Sequence, residues 1–297
     1  MGSETPGRRP LGSGDAWVHG PDGRRFWGTF GAAGLLVADP DAGVLLQHRA
    51  EWSHFGGTWG LPGGARHEGE SARQGAVREA SEEAGVPEHL VRARYLSRLD
   101  LGWWSYSTVV ARTTELFDPV IGDAESIEVR WVPVDAVDTL PLHPGFAERW
   151  PSLRSDLFAE PVVVVDAANV VGSRPNGWWR DRAAAAARLV DSLRALSTTG
   201  WPAELLELPH DLWWPSVSVV IEGDAKRMPD PPEPSDLAIV RAPTDGDSAI
   251  VAHTASLPDP GQAIVVTADR ELRRRVHAIG ASVASPAALL TALDELG

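Results

Sequence analysis

The chain has no cysteine. Disulfides, thiolate nucleophiles and cysteine-bound zinc are excluded together. Any metal must then rest on carboxylates, carbonyls, histidines or water, a donor set that selects hard ions such as magnesium or manganese. Lysine is nearly absent too: Lys226 is the only one, and arginine supplies the other basic charges. Acids outnumber bases 41 to 27, a formal charge of −14. That argues against avid sequence-independent nucleic-acid binding, which needs basic surface. A nucleic acid held through metal ions stays open. No apolar run approaches the roughly 18 residues needed to cross a bilayer, so no membrane partner is expected. The opening "MGSETPGRRPLGSGDAW" lacks the apolar stretch of a signal peptide. Pro6 stands where an N-myristoylation motif takes Ser or Thr. Residues 1–27 are expected to form a flexible leader, and the cytoplasm is the expected location.

What is present divides in two. A length of 297 residues exceeds the usual single domain. The hydrophobic content of 43% is ordinary for a soluble fold. In the first half, residues 31–39, 43–50, 103–112 and 128–134 read as strands. Residues 71–84 read as a helix capped by Ser71 and stopped by Gly85. A short helix and a connector over 141–160 close this unit. From Val162 the grammar changes. "VVVVD" is a strand buried on both faces, and an alanine-rich helix follows. Strands at 217–223, 237–241, 263–267 and 281–284 then alternate with helices at 248–255, 270–279 and 286–296. "AKRMPDPPEPSD" is expected to be an exposed loop. The fold class is therefore α/β in two domains, the second a mostly parallel sheet covered by helices.

One helix carries an excess of like charge. Glu79, Glu82 and Glu83 are spaced i,i+3 and i,i+4, so they share a face and repel one another. Glu70 precedes the helix on a loop opened by Gly63 and Gly64, where glycine lets backbone approach a ligand closely. A divalent cation supplies the compensation that Arg78 alone does not.

Gly64, Glu70 and the run Arg78-Glu79-Ala80-Ser81-Glu82-Glu83-Ala84-Gly85-Val86 occupy the fixed and apolar places of the Nudix box. "GGTWGLPGG", "WSYSTVV" and "ESIEVRWVPVDAV" resemble the flanking segments of a MutT-like Nudix fold, so the likeness covers roughly residues 28–150, within a domain expected over 28–158. His67 departs from the glutamate that many relatives carry in this loop. The resemblance implies an α/β/α sandwich with a mixed sheet. It also implies metal-dependent hydrolysis of a phosphoanhydride bond in a nucleoside diphosphate derivative. On it, Glu79, Glu82, Glu83 and the Gly63 carbonyl ligate Mg2+ or Mn2+, and Arg78 with Glu70 orients the ligands. Glu125 is the first choice of base and Glu128 the second. Trp104 and Tyr106 share a strand face, and with Trp59 can stack on a base; core or rim packing is the competing use of these rings. No proline stands at the downstream place associated with ADP-ribose hydrolases. Nucleoside triphosphates or dinucleoside polyphosphates are the expected substrates.

In residues 161–297 the acids fall where strands end: Asp166, Glu222 and Asp269, with Asp245 and Asp247 after Arg241. Carboxyl ends of parallel strands line one crevice, the usual ligand position. Helix capping is the competing role, strongest for Asp245 and Asp269. Asp166 precedes "AANVV", which does not read as a helix. "VVDAANVV", "DGDSAI" and "VVTADRELRRRV" resemble the NYN/PIN-like nucleases. That resemblance implies metal at Asp166, Asp247 and Asp269, positioning by Asn169, and cleavage of RNA. Arg270, Arg273, Arg274 and Arg275 are phosphate contacts or simply a solvated face. The competing view makes this domain a non-catalytic nucleotide- or RNA-binding module serving the first.

Overall fold

Residues 12–174, 177–231 and 237–296 are described by a computed structural model. The chain forms two compact units, one ending at Phe158 and the next beginning at Ala159. Residues 1–11 of the expected leader and 232–236 of the expected proline-rich loop lie outside the described residues.

The first unit opens with a hairpin, β1 (Trp17–His19) and β2 (Arg25–Trp27), which corrects the expectation of a flexible leader through residue 27. Phe26 stacks on Trp104 with ring centroids 4.3 Å apart, and the Trp104 indole donates to the Trp27 carbonyl at 3.1 Å. Trp17, Phe26 and Trp27 give this otherwise polar segment an aromatic surface to bury.

Next come β3 (Ala32–Asp39), β4 (Gly43–Arg49), the short β5 (Trp59–Gly60) and β6 (Gly63–Ala65), and helix α1 (Ala72–Ala84). Then follow β7 (Val91–Asp100), β8 (Ser105–Thr113), β9 (Ser126–Val132) and helix α2 (Pro144–Ser155). The sheet is mixed. β8 runs parallel to β3 and antiparallel to β7, while β4 and β6 run antiparallel to β3 and β9 antiparallel to β4.

Local chemistry places α1. The Ser71 hydroxyl accepts from the Gln74 N–H at 3.2 Å, and Gln74 Oε1 accepts from the Ser71 N–H at 2.9 Å. This reciprocal cap satisfies two otherwise orphaned donors. Gly85 ends the helix at φ +65°, a left-handed conformation that favours glycine. Ala72, Ala76, Ala80 and Ala84, spaced by four, are buried along one face. Their small side chains let the helix lie close on β3, which leaves the glutamates at the margin of that contact.

In the second unit β10 (Val162–Asp166), α3 (Ala167–Gly172), α4 (Arg182–Thr199), β11 (Trp201–Pro202), α5 (Ala203–Leu206) and β12 (Leu212–Trp213) come first. β13 (Ser216–Ile221), β14 (Leu237–Arg241), α6 (Gly246–Ala255), β15 (Ala263–Val266), α7 (Arg270–His277), β16 (Ser282–Ala284) and α8 (Pro286–Asp294) follow. Five parallel strands lie in the order β14-β13-β10-β15-β16. Val163, Val164 and Val165 on central β10 are fully buried. Two expectations need correction. "AANVV" is helical, because Asp166 caps α3 by accepting from the Asn169 N–H at 3.0 Å. The segment before the prolines is not loop throughout: residues 223–227 make a 3-10 turn and Met228 is buried. Among the described residues no helix is long and apolar enough to cross a membrane.

Candidate active site

Arg78 organises the glutamates. Its Nε and Nη2 donate to the two Glu70 oxygens at 2.8 and 3.0 Å, and Nη2 also donates to the Ala65 carbonyl at 2.9 Å. Nη1 donates to Glu79 at 2.8 Å and lies 3.6 Å from Glu82. Burial pushes the Glu70 carboxyl up, but its bonds from Arg78 and the His67 N–H outweigh that and hold it below the ordinary value. Glu79 moves the other way: burial raises it against the pull of Arg78, and the charges of Glu82 and Asp15 add to the rise.

Glu83 is the deepest acid among the described residues, 6% exposed. One carboxylate oxygen accepts from the Gly63 N–H at 2.9 Å. Burial, then the charges of Glu79 and Asp123, push its carboxyl well above the usual range, with Gly63 and Arg49 opposing. An acid so placed lacks a full counter-charge, and the donors around it are oxygens suited to a hard cation. The carboxylate of Glu79 fills the space beside Gly64, where a Cβ would come within 2.7 Å of it. Among the described residues no three Asp, Glu or His side chains converge as a ready-made metal cage. Arg78 accounts for this by drawing Glu79 and Glu82 toward itself.

The remaining site residues of the first unit separate. Glu125 lies 3.9 Å from Arg49, the arginine that also acts on Glu83. Glu128 is instead drawn to Arg130 at 3.2 Å. Trp59 is 4% exposed, stacks on His48 at 4.8 Å and lies under the Arg130 guanidinium at 4.7 Å. That corrects its reading as a base-stacking ring: its faces are used in packing. Trp104 is corrected in the same way, since Phe26 covers it. Tyr106 behaves differently, because its hydroxyl is close to Gly34 and feels both Glu83 and Glu79. Arg49, Asp123 and Asp15 went unread in the sequence. Asp123 accepts from the Glu125 N–H at 2.9 Å, and the only local signal was an acid just ahead of a strand.

In the second unit the parallel sheet brings its acids to one edge. The second Asp166 oxygen accepts from the Thr267 hydroxyl at 2.9 Å, and Asn169 Oδ1 accepts from the Ala268 N–H at 3.0 Å. Burial raises the Asp166 carboxyl despite these bonds, and the charges of Asp247 and Glu222 add to it. Burial and the charge of Asp269 raise Asp247. Asp245 and Asp269 cap α6 and α7 by accepting from the Ser248 and Leu272 N–H groups, each at 2.8 Å. Glu222 accepts from the Gly246 N–H at 2.6 Å. On α7, Arg270, Arg273 and Arg274 are exposed, Arg274 pairs with Glu271, and half-buried Arg275 acts on Asp247.

Residues 28–154 match the family described as NUDIX domain. A Mycobacterium tuberculosis protein named putative 8-oxo-dGTP diphosphatase 3 is 50% identical over 165 residues, covering 52% of this chain and 76% of that one. A nucleoside triphosphate pyrophosphatase/Nudix hydrolase fusion protein of Bifidobacterium longum is 43% identical over 152 residues, 48% of this chain and 32% of its own. The crystal structure of RenU, a Nudix hydrolase from M. smegmatis, is 49% identical with a TM-score of 0.44, covering 48% of this chain and 94% of that one. Through the unit that carries the glutamate helix, the chain belongs to the Nudix family.

Proposed function

We propose that the first unit hydrolyses a phosphoanhydride bond of a nucleoside triphosphate or dinucleoside polyphosphate with Mg2+ or Mn2+. The observation that carries this is Glu83, a buried carboxylate beside Glu79 with one backbone N–H and a nearby arginine to offset it. Glu79, Glu82, Glu83 and the Gly63 carbonyl are the proposed ligands. A divalent cation bound there neutralises phosphate oxygens and acidifies water. Arg78 and Glu70 hold the ligands in place, and Glu125 takes the proton of the attacking water as the P–O–P bridge breaks. The name of the M. tuberculosis relative makes 8-oxo-dGTP the first substrate to assay. The test is a nucleotide panel with Mg2+ or with EDTA, run on wild type and Glu82→Gln. Metal-dependent turnover that falls by orders of magnitude in the variant supports the reading. Near wild-type turnover in Glu82→Gln overturns the ligand assignment, and no hydrolysis by wild type overturns the function.

A second reading concerns the other unit, because the charges of Asp247 and Glu222 act on buried Asp166 at the carboxyl edge of a parallel sheet. We propose that Asp166, Asp247 and Asp269 hold a cation, with Asn169 positioning the site, for cleavage of single-stranded RNA. Asp166→Asn should abolish such cleavage and leave nucleotide hydrolysis within a few-fold, since each site belongs to its own compact unit. Absence of cleavage by wild type leaves the binding-module view of this unit.

A further inference from the structure

Glycine inside a strand weakens it, and such a residue often marks a close approach. Gly34 lies inside β3, and its partner across the antiparallel ladder is Gly63 on β6. A Cβ on Gly34 would lie 2.2 Å from the Tyr106 hydroxyl, and one on Gly63 would lie 2.5 Å from the Gly34 Cα. The two glycines thus form a bare patch of backbone, and two side chains end over it. Glu83 ends on Gly63, from whose N–H it accepts at 2.9 Å. Tyr106 ends on Gly34. Gly34 and Gly63 are partners across the ladder, so the hydroxyl and the carboxylate are anchored on adjacent strand positions.

The phenol there is a donor in waiting. A phenol keeps its proton at neutral pH. No acceptor among the described residues takes that proton. Tyr95 contrasts with it: fully buried, it donates to the Leu153 carbonyl at 2.9 Å. Tyr106 is half-buried, so its hydroxyl is free to donate to whatever is brought to the site. What faces the carboxylates is the hydroxyl.

We propose that Tyr106 is a substrate-binding residue whose hydroxyl donates a hydrogen bond to a phosphate oxygen of the nucleotide bound beside Glu83. This rests on the nucleotide-hydrolase reading of the same site. It assigns to Tyr106 a polar contact with phosphate in place of stacking on a base.

Tyr95 and Tyr106 are the only tyrosines in the chain, so full replacement by 3-fluorotyrosine gives two fluorine resonances. Tyr106→Phe assigns them, and buried Tyr95 serves as the internal reference. Saturation with a methylene-bridged nucleoside triphosphate and Mg2+ should move the Tyr106 resonance and leave that of Tyr95 in place. By calorimetry, Tyr106→Phe should bind this analogue about 10-fold more weakly, as expected for a hydrogen bond to a charged group. KM for the hydrolysed nucleotide should rise in step, with an unchanged Mg2+ concentration for half-maximal activity. A Tyr106 resonance that stays put at saturation, or an unchanged analogue affinity, overturns the proposal. So does a shifted Mg2+ requirement at unchanged affinity, which would give the hydroxyl to Glu83 instead. If that variant fails to fold, Tyr95→Phe makes the assignment and the Tyr106 resonance of the fluorinated wild type decides. Wild type that hydrolyses no nucleotide overturns the underlying reading, an outcome distinct from hydrolysis with an indifferent Tyr106.

Discussion

The Glu79 carboxylate occupies the space where a side chain on Gly64 would begin: a Cβ there would lie 2.7 Å from its Cδ and 2.8 and 2.9 Å from its oxygens. The need for glycine at this position is therefore one of room for Glu79.

Gly64→Ala should displace Glu79 and so reduce hydrolysis more than stability. A fall in kcat/KM of about 10- to 100-fold is expected, with a stability loss of about 1–3 kcal/mol from overpacking. Steady-state kinetics and urea unfolding measure the two. An unchanged kcat/KM would show that the Glu79 position does not matter.

Arg78→Lys should act on both properties as well. Lysine cannot reproduce the paired contacts with Glu70 or the simultaneous reach to Ala65 and Glu79. A stability loss of about 1–3 kcal/mol is expected, because the side chain is only 23% exposed and its partners would lose charge-assisted bonds. Activity should fall about 10-fold or more.

Glu83 gives stability a pH signature. A carboxyl raised in the folded state binds its proton more tightly there than in the unfolded chain. Its contribution to folding is thus fully present below the ordinary value of 4.5 and is lost as pH climbs through the raised value. In EDTA, Glu83→Gln should therefore be more stable than wild type at pH 8, with the gap closing toward pH 5. Melting temperatures report it, at about 2–4 °C per kcal/mol for a chain of this size. Added Mg2+ should stabilise wild type more than the variant, because binding to the folded state alone raises stability. A gap that ignores pH would count against an uncompensated Glu83.

Phe26→Ala tests the opening hairpin. Loss of the stacked ring over Trp104 should cost about 1–2 kcal/mol, read by denaturant unfolding. A flexible leader would give no change at all.

The glutamate helix was legible in the sequence because its rules are local. Capping by Ser71, termination at Gly85 and the shared face of Glu79, Glu82 and Glu83 all lie within a few residues of chain. The strands β3, β4 and β10 were legible for a similar reason, since long apolar runs require burial. By contrast β7, "VRARYLSRLD", alternates with arginines and showed no strand signal. Its Tyr95 gains a buried place only once α2 brings the Leu153 carbonyl to its hydroxyl.

The fates of the aromatic residues and outlying acids depended on partners far along the chain. Trp104 is covered by Phe26, and Trp59 is packed by His48 and Arg130. Asp123 and Arg49 reach Glu83 across many intervening residues. Asp166, expected to stand free of any helix, caps one and is held by Thr267 from another strand. Spacing along a chain defines which side chains share a face, because helices and strands have fixed periods. What covers that face, and which charge comes to oppose it, is settled only when distant segments pack, and so belongs to the tertiary structure.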